Sequence, residues 1–99
     1  MIYCFDLDGT LCTNTNGDYY NAKPFIDRIN KLNDLYNLNN KIIINTARGS
    51  STGIDWYDFT KNQLQSWGIK YHQLFVGKKI EADLFIDDKG ISDIDFFKK

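Results

Sequence analysis

The sequence predicts an α/β fold built on a mostly parallel sheet, and three observations predict it. Near-continuous apolar segments recur along the chain as "IYCFDLD", "KIIINTA" and "ADLFIDD", the pattern of strands buried on both faces. Segments with helical periodicity lie between strands, as parallel pairing requires of its crossovers. Several apolar segments end in polar residues, which places candidate chemistry at the carboxyl edge of the sheet, where open α/β folds bind ligands.

The first strand spans 2–8 and is followed by a loop rich in Asn, Thr and Gly, "TNTNGDYYNAK" at 13–23. Pro24 suits the first turn of a helix, and Phe25, Ile29, Leu32 and Tyr36 then share one face. Asn39 and Asn40 end that helix, and a second strand covers 41–47. After the loop "RGSSTG", Asp55 or Thr52 caps a second helix that runs through Trp67 and stops at Gly68. Strands at 70–76 and 82–88 follow, and the tail "SDIDFFKK" forms a short closing helix.

A chain of 99 residues makes one domain, 1–99, and chains near this size bury about 65% of their unfolded surface. The formal net charge of −1, with no basic stripe, argues against nucleic acid as a partner. No apolar run nears the roughly 20 residues that span a bilayer, so no membrane partner is expected. The N-terminus lacks the basic and long apolar regions of a secretory signal, which implies a cytoplasmic protein. Cys4 and Cys12 have no zinc-type partners in sequence, and buried free thiols in a reducing cytosol are the expectation.

Convergence of the strand ends brings Asp6, Asp8, Asp87 and Asp88 to one rim. Like-charged carboxylates that close repel one another, and an oxygen-seeking divalent cation removes the conflict; Mg²⁺ suits a site with few protein ligands. A spare carboxylate beside Mg²⁺ can attack phosphorus while a second acid carries the proton. Thr46 can hold the phosphoryl oxygens, and Lys78 or Lys79 can balance the developing charge.

At these residues the chain resembles the haloacid dehalogenase (HAD) superfamily of phosphohydrolases. "DLDGT" is similar to its first motif, "IIINTAR" to the second, "GKK" to the third and "LFIDD" to the fourth, in the family's order. The resemblance implies a minimal Rossmann-like core with a four-stranded sheet in the order 3-2-1-4, flanking helices and Mg²⁺ as cofactor. It implies Asp6 as nucleophile and metal ligand. Asp8 becomes the acid/base, with its carbonyl on the metal; Thr46 holds the phosphoryl group, and Asp87 binds Mg²⁺ with Asp88 assisting. Gly9 turns the chain out of the strand and Thr10 ties that turn down, at the margin of the substrate. Lys78, directly after Gly77, is favoured over Lys79 as the catalytic lysine. "LFIDD" departs from the family's Gly-Asp form, which leaves open which acid ligates directly.

Arg48 can grip the substrate phosphate in a two-point bond, with Gly49 beside it, or play a structural role by pairing with a surface acid. The loop at about 11–23 takes the family's flap position, where Asp18, Tyr19 and Tyr20 can reach substrate. His72 lies within the third strand and is expected to be packed or exposed rather than catalytic; Trp56 and Trp67 are expected to be core. The intervals Asp8–Thr46 and Thr46–Lys78 hold one loop and one helix each, leaving no room for a cap domain. The open site then accepts a large substrate, is shielded in a homo-oligomer, or is closed by the flap over a small phosphorylated substrate. Among cap-less members the pattern is similar to phosphatases of capsule and surface-polysaccharide biosynthesis, which points to a sugar phosphate or nucleotide-type precursor. A phosphotransferase and a non-catalytic phosphate-binding module are the alternatives.

Overall fold

Strand β1 (Ile2–Asp6) buries Cys4 and Phe5 on opposite faces, and β2 (Lys41–Thr46) buries Ile42, Ile43 and Ile44 in succession. Apolar runs of this kind need cover on both sides of the sheet. The computed structural model describes residues 1–77, 84–87, 91–92 and 96–97, except the side chains of Leu84, Phe85, Asp87, Ile91 and Ser92. Lys78, Lys79 and Asp88 therefore lie outside the described residues.

β1 and β2 run parallel in a register from Ile2 opposite Lys41 to Asp6 opposite Asn45. β3 (Gln73–Val76) pairs parallel with the other edge of β2, ending with Thr46 opposite Val76. These three strands and the helices between them form the expected α/β arrangement. Across β1, β4 (Leu84–Asp87) pairs parallel with Tyr3–Phe5, and the two-residue β5 (Ile91–Ser92) pairs with β4. The full order is β3-β2-β1-β4-β5. The fifth strand is absent from the sequence reading, which assigned Ser92 to a closing helix. Phe96 and Phe97 are helical and pack on Phe5, with ring centroids 5.8 and 6.1 Å away.

Helix α1 (Ile26–Asn37) buries Ile29 and Leu32, and Asn39 follows its end with φ +68°, a left-handed stop that Asn tolerates. It starts two residues after Pro24, because Phe25 takes the N-cap. Helix α2 (Tyr57–Ser66) buries Thr60 and Leu64. Its entry is fixed by Asp55, whose Oδ1 accepts the Tyr57 N–H at 2.9 Å, and Gly68 (φ +72°) ends it. Phe5, Leu7, Leu32, Ile42, Ile44, Leu64 and Ile86 join one core.

β3 starts later than expected. The Lys70 N–H turns to Asn33 Oδ1, and strand pairing begins only at Gln73. His72 precedes the strand; its Nδ1 accepts the Ile42 N–H at 3.0 Å and its ring stacks on Tyr36. It joins α1 to β2, away from any catalytic position. No helix among the described residues is long and apolar enough to cross a membrane.

Candidate active site

Asp6 ends β1, and the chain then makes a tight turn around the Leu7 carbonyl. That oxygen accepts the N–H groups of Thr10, Leu11 and Cys12 at 3.1, 2.9 and 3.3 Å, while the Gly9 N–H reaches the Cys12 carbonyl at 2.8 Å. Gly9 takes φ +84°, a conformation that other residues adopt at a cost. Leu7 is fully buried, whereas Asp6 and Asp8 line one cavity. The strand expected over 2–8 thus ends at Asp6, and Leu7 and Asp8 belong to the turn: the buried leucine anchors it while the acids on either side border the opening.

The cavity has a volume of about 500 Å³ and lies beyond the carboxyl ends of β1 and β2. Asp6, Asp8, Thr46, Arg48 and Gly49, all named from the sequence, border it. Thr46 Oγ1 accepts the Arg48 backbone N–H at 3.3 Å, and the Thr46 carbonyl accepts the Gly77 N–H. That second bond brings Gly77, the residue before Lys78, to the same sheet edge. Asp87 ends β4 one residue beyond the Phe5–Ile86 pair, so its backbone stands beside that of Asp6.

Arg48 does not offer its fork to the cavity. Its Nε–H donates to Asp8 Oδ2 at 2.9 Å and its Nη2 to Asp8 Oδ1 at 2.8 Å, while Nη1 donates to Thr60 Oγ1 at 3.2 Å and to Gln63 Oε1 at 2.7 Å. The guanidinium also lies 4.4 Å from the centroid of the Tyr19 ring. Its side chain is 0% exposed against 18% for Asp8. Arg48 therefore pairs with an acid, but that acid is Asp8 at the cavity rather than the surface acid expected.

Gly49 shapes the loop that follows. It has φ +82°, and a Cβ there would run into the Ile54 carbonyl oxygen. Two other sequence candidates stand away from the cavity. Thr10 is buried, with its carbonyl accepting from Arg28 Nη1 at 2.9 Å. Asp18 is exposed, with its Oδ2 accepting from Asn21 Nδ2 at 2.6 Å.

The flap is pinched at its base, where the Thr13 N–H meets the Lys23 carbonyl and the Lys23 N–H meets Thr13 Oγ1, both at 2.9 Å. It supplies Asn14, Asn16, Gly17 and Tyr19 to the cavity. Trp56 forms the facing wall, edge-on to Tyr19 at 4.9 Å. Its expected core position is not found; only Trp67 packs against the core. Trp56 is the N-cap of α2, and a helix that follows a parallel strand begins at the carboxyl edge of the sheet. Trp56, not the expected Asp55 or Thr52, thus holds the cap position, and its place beside those cap candidates was the available signal. Ser51, Thr52, Ile54 and Gln63 were also missed, Gln63 because its importance comes from partners distant in sequence.

Cys4 and Cys12 are buried and form no disulfide. Burial, and secondarily the Asp8 charge, push the Cys12 thiol up from 9.0 to about 12. Its Sγ lies 3.5 Å from Asp8 Oδ1, so the thiol is a protonated neighbour of the acid and not a nucleophile. Among the described residues no group of three His, Cys, Asp or Glu side chains is gathered to hold a metal. The donors present at the cavity are oxygens, from Asp6 and the chain around Asp8, a set that fits Mg²⁺ better than zinc or copper.

No family model and no curated protein matches the chain. A crystal structure of a target protein from Vibrio cholerae is similar, with a TM-score of 0.77 and 28% identity over 100% of this chain and 89% of that one. A chain in the structure of the Pnkp1/Rnl/Hen1 complex is similar with a TM-score of 0.62 and 21% identity. That match covers 81% of this chain but only 29% of the other, and at this identity it speaks to the fold alone.

Proposed function

We propose that the chain is a cap-less phosphomonoesterase of the HAD type, dependent on Mg²⁺ and working through an aspartyl-phosphate at Asp6. The observation that carries this reading is the meeting of Asp6, Asp8 and Thr46 in one cavity beyond adjacent parallel strands.

In this reading an Asp6 carboxylate oxygen attacks phosphorus, and the bond from phosphorus to the ester oxygen breaks. The leaving oxygen takes a proton from Asp8. Each carboxylate oxygen has two lone pairs, and among the described residues Oδ2 accepts only the Arg48 Nε–H while Oδ1 meets both Arg48 Nη2 and Cys12 Sγ, so Oδ2 is assigned this proton. Water then attacks the aspartyl-phosphate and gives a proton back to Asp8 Oδ2. Phosphate leaves and Asp6 is regenerated. Thr46 Oγ1 already accepts a backbone N–H, which leaves its own hydrogen for a phosphoryl oxygen. Lys78 supplies the balancing charge. The Asp6 carboxylate, the Asp8 carbonyl and Asp87, with Asp88 assisting, would hold Mg²⁺, which would supply a positive charge to offset that of the phosphate.

The rim favours a sugar monophosphate over a nucleoside di- or triphosphate. Asn14, Asn16, Ser51 and Thr52 offer neutral hydrogen-bonding groups and Trp56 an apolar face, while the cation among the described lining residues is Arg48, already committed to Asp8. Two buried cysteines that form no disulfide agree with a cytoplasmic location. The test is phosphate release from a panel of sugar monophosphates and nucleotides, with Mg²⁺ and with chelator. Mg²⁺-dependent release, fastest from sugar monophosphates, is expected. Phosphate binding without release from any compound would replace the enzyme with a binding module.

A further inference from the structure

The side chain of Gln63 joins two parts of the site that the sequence keeps far apart. Its Oε1 accepts from Arg48 Nη1 at 2.7 Å, and its Nε2 donates to the Tyr19 carbonyl at 2.9 Å. Arginine can only donate and a carbonyl can only accept, so the amide has one satisfactory orientation. A continuous chain of bonds therefore runs from the Asp8 carboxylate through Arg48 and Gln63 to the flap. The flap is further seated by the Tyr19 ring on the guanidinium. Thr60, the other α2 partner of Arg48, is fully buried and makes no bond to the flap. Gln63 does not border the cavity.

We propose that Gln63 is a positioning residue that couples seating of the 13–23 flap to the orientation of Asp8. When the flap lifts, the Gln63 amide loses its carbonyl partner and its hold on Arg48 loosens. Because Arg48 fixes both oxygens of Asp8, the acid is then less well aimed. Flap closure over a substrate and alignment of the proton carrier thus become one event. The kinetic consequence rests on the proposed phosphatase reading; the coupling itself does not.

The test uses two variants of the full chain. Gln63→Leu removes both bonds, and Gln63→Glu keeps an acceptor for Arg48 but removes the donor to Tyr19. Hydrogen exchange of the Asn21 and Ala22 amides reports on the flap, and the carboxyl-carbon NMR resonance of Asp8 reports on the acid. Both variants should speed flap exchange by about tenfold, the effect of one lost hydrogen bond. Gln63→Leu should also move the Asp8 resonance, whereas Gln63→Glu should leave it near its wild-type position. In turnover, Gln63→Leu should lower kcat and Gln63→Glu should mainly raise KM. An unchanged Asp8 resonance in Gln63→Leu, or unchanged flap exchange in either variant, would overturn the coupling. Absence of turnover in the wild type would instead count against the phosphatase reading, and exchange and NMR would still decide the role of Gln63.

Discussion

Arg48 closes a two-point ion pair on Asp8, with Nε on Oδ2 at 2.9 Å and Nη2 on Oδ1 at 2.8 Å. The pair spans forty positions of sequence and ties the turn after β1 to the loop after β2. It holds the carboxylate in one orientation at the edge of the cavity.

The two partners are unequally buried, so their removal should be unequally costly. Arg48 is 0% exposed at its side chain and Asp8 is 18% exposed. Asp8→Ala strands a buried guanidinium, and breaking a buried pair from one side costs about 3–5 kcal/mol. Arg48→Met leaves a carboxylate that still reaches water and should cost less. Urea unfolding midpoints of the two variants check the order.

Two glycines in one loop should respond differently to alanine. Gly49 and Gly53 both have positive φ, +82° and +73°, yet a Cβ at Gly49 meets the Ile54 carbonyl and one at Gly53 meets nothing within 4 Å. Gly53→Ala should cost about 1 kcal/mol for the backbone conformation alone. Gly49→Ala should cost more and should also distort the cavity wall. Thermal unfolding of both variants, with turnover of each, separates strain from collision.

Cys12 should make stability depend on pH in the alkaline range. Its folded value, about 12, lies above the ordinary 9.0, so the folded protein holds this proton more tightly than the unfolded chain. The contribution is fully present below pH 9.0 and is lost as pH rises toward about 12. Cys12→Ala should flatten that part of the profile relative to wild type. Alkylation of the native thiol should be slow at neutral pH and accelerate in denaturant.

Trp56 should matter to substrate binding more than to the chemical step. Its ring walls the cavity and meets Tyr19 at 4.9 Å and Tyr20 at 6.0 Å. Trp56→Ala removes that wall and the flap's seat, and should raise KM about tenfold with a smaller fall in kcat. Steady-state kinetics on a sugar monophosphate read the split directly.

How far the sequence revealed these features follows from the physics of each. Asp6, Asp8 and Thr46 were legible because an apolar run that ends in polar groups marks both a buried strand and its edge. The parallel pairing of β1, β2 and β3 was legible for a related reason, since it demands the intervening helices, whereas their order came only with the family resemblance. Fine boundaries were not: Pro24 permits a helix start, but the Phe25 carbonyl takes the first helical bond from Ile29. The partner of Arg48 could not be read, because pairing across forty residues depends on where two turns meet. Trp56 was misplaced because an aromatic near a helix start looks the same whether it enters the core or borders a cavity. Gln63 carried no signal at all, since an amide on a helix reads as surface until its partners are known.

The most direct test of the account is turnover of an aryl phosphate by wild type, Asp6→Asn and Asp8→Asn, each confirmed folded and each assayed with Mg²⁺ and with chelator. Mg²⁺-dependent turnover is expected of wild type, none of Asp6→Asn, and a loss of about 10²–10⁴-fold in Asp8→Asn, the usual scale of acid–base catalysis. Full activity in folded Asp6→Asn would contradict it.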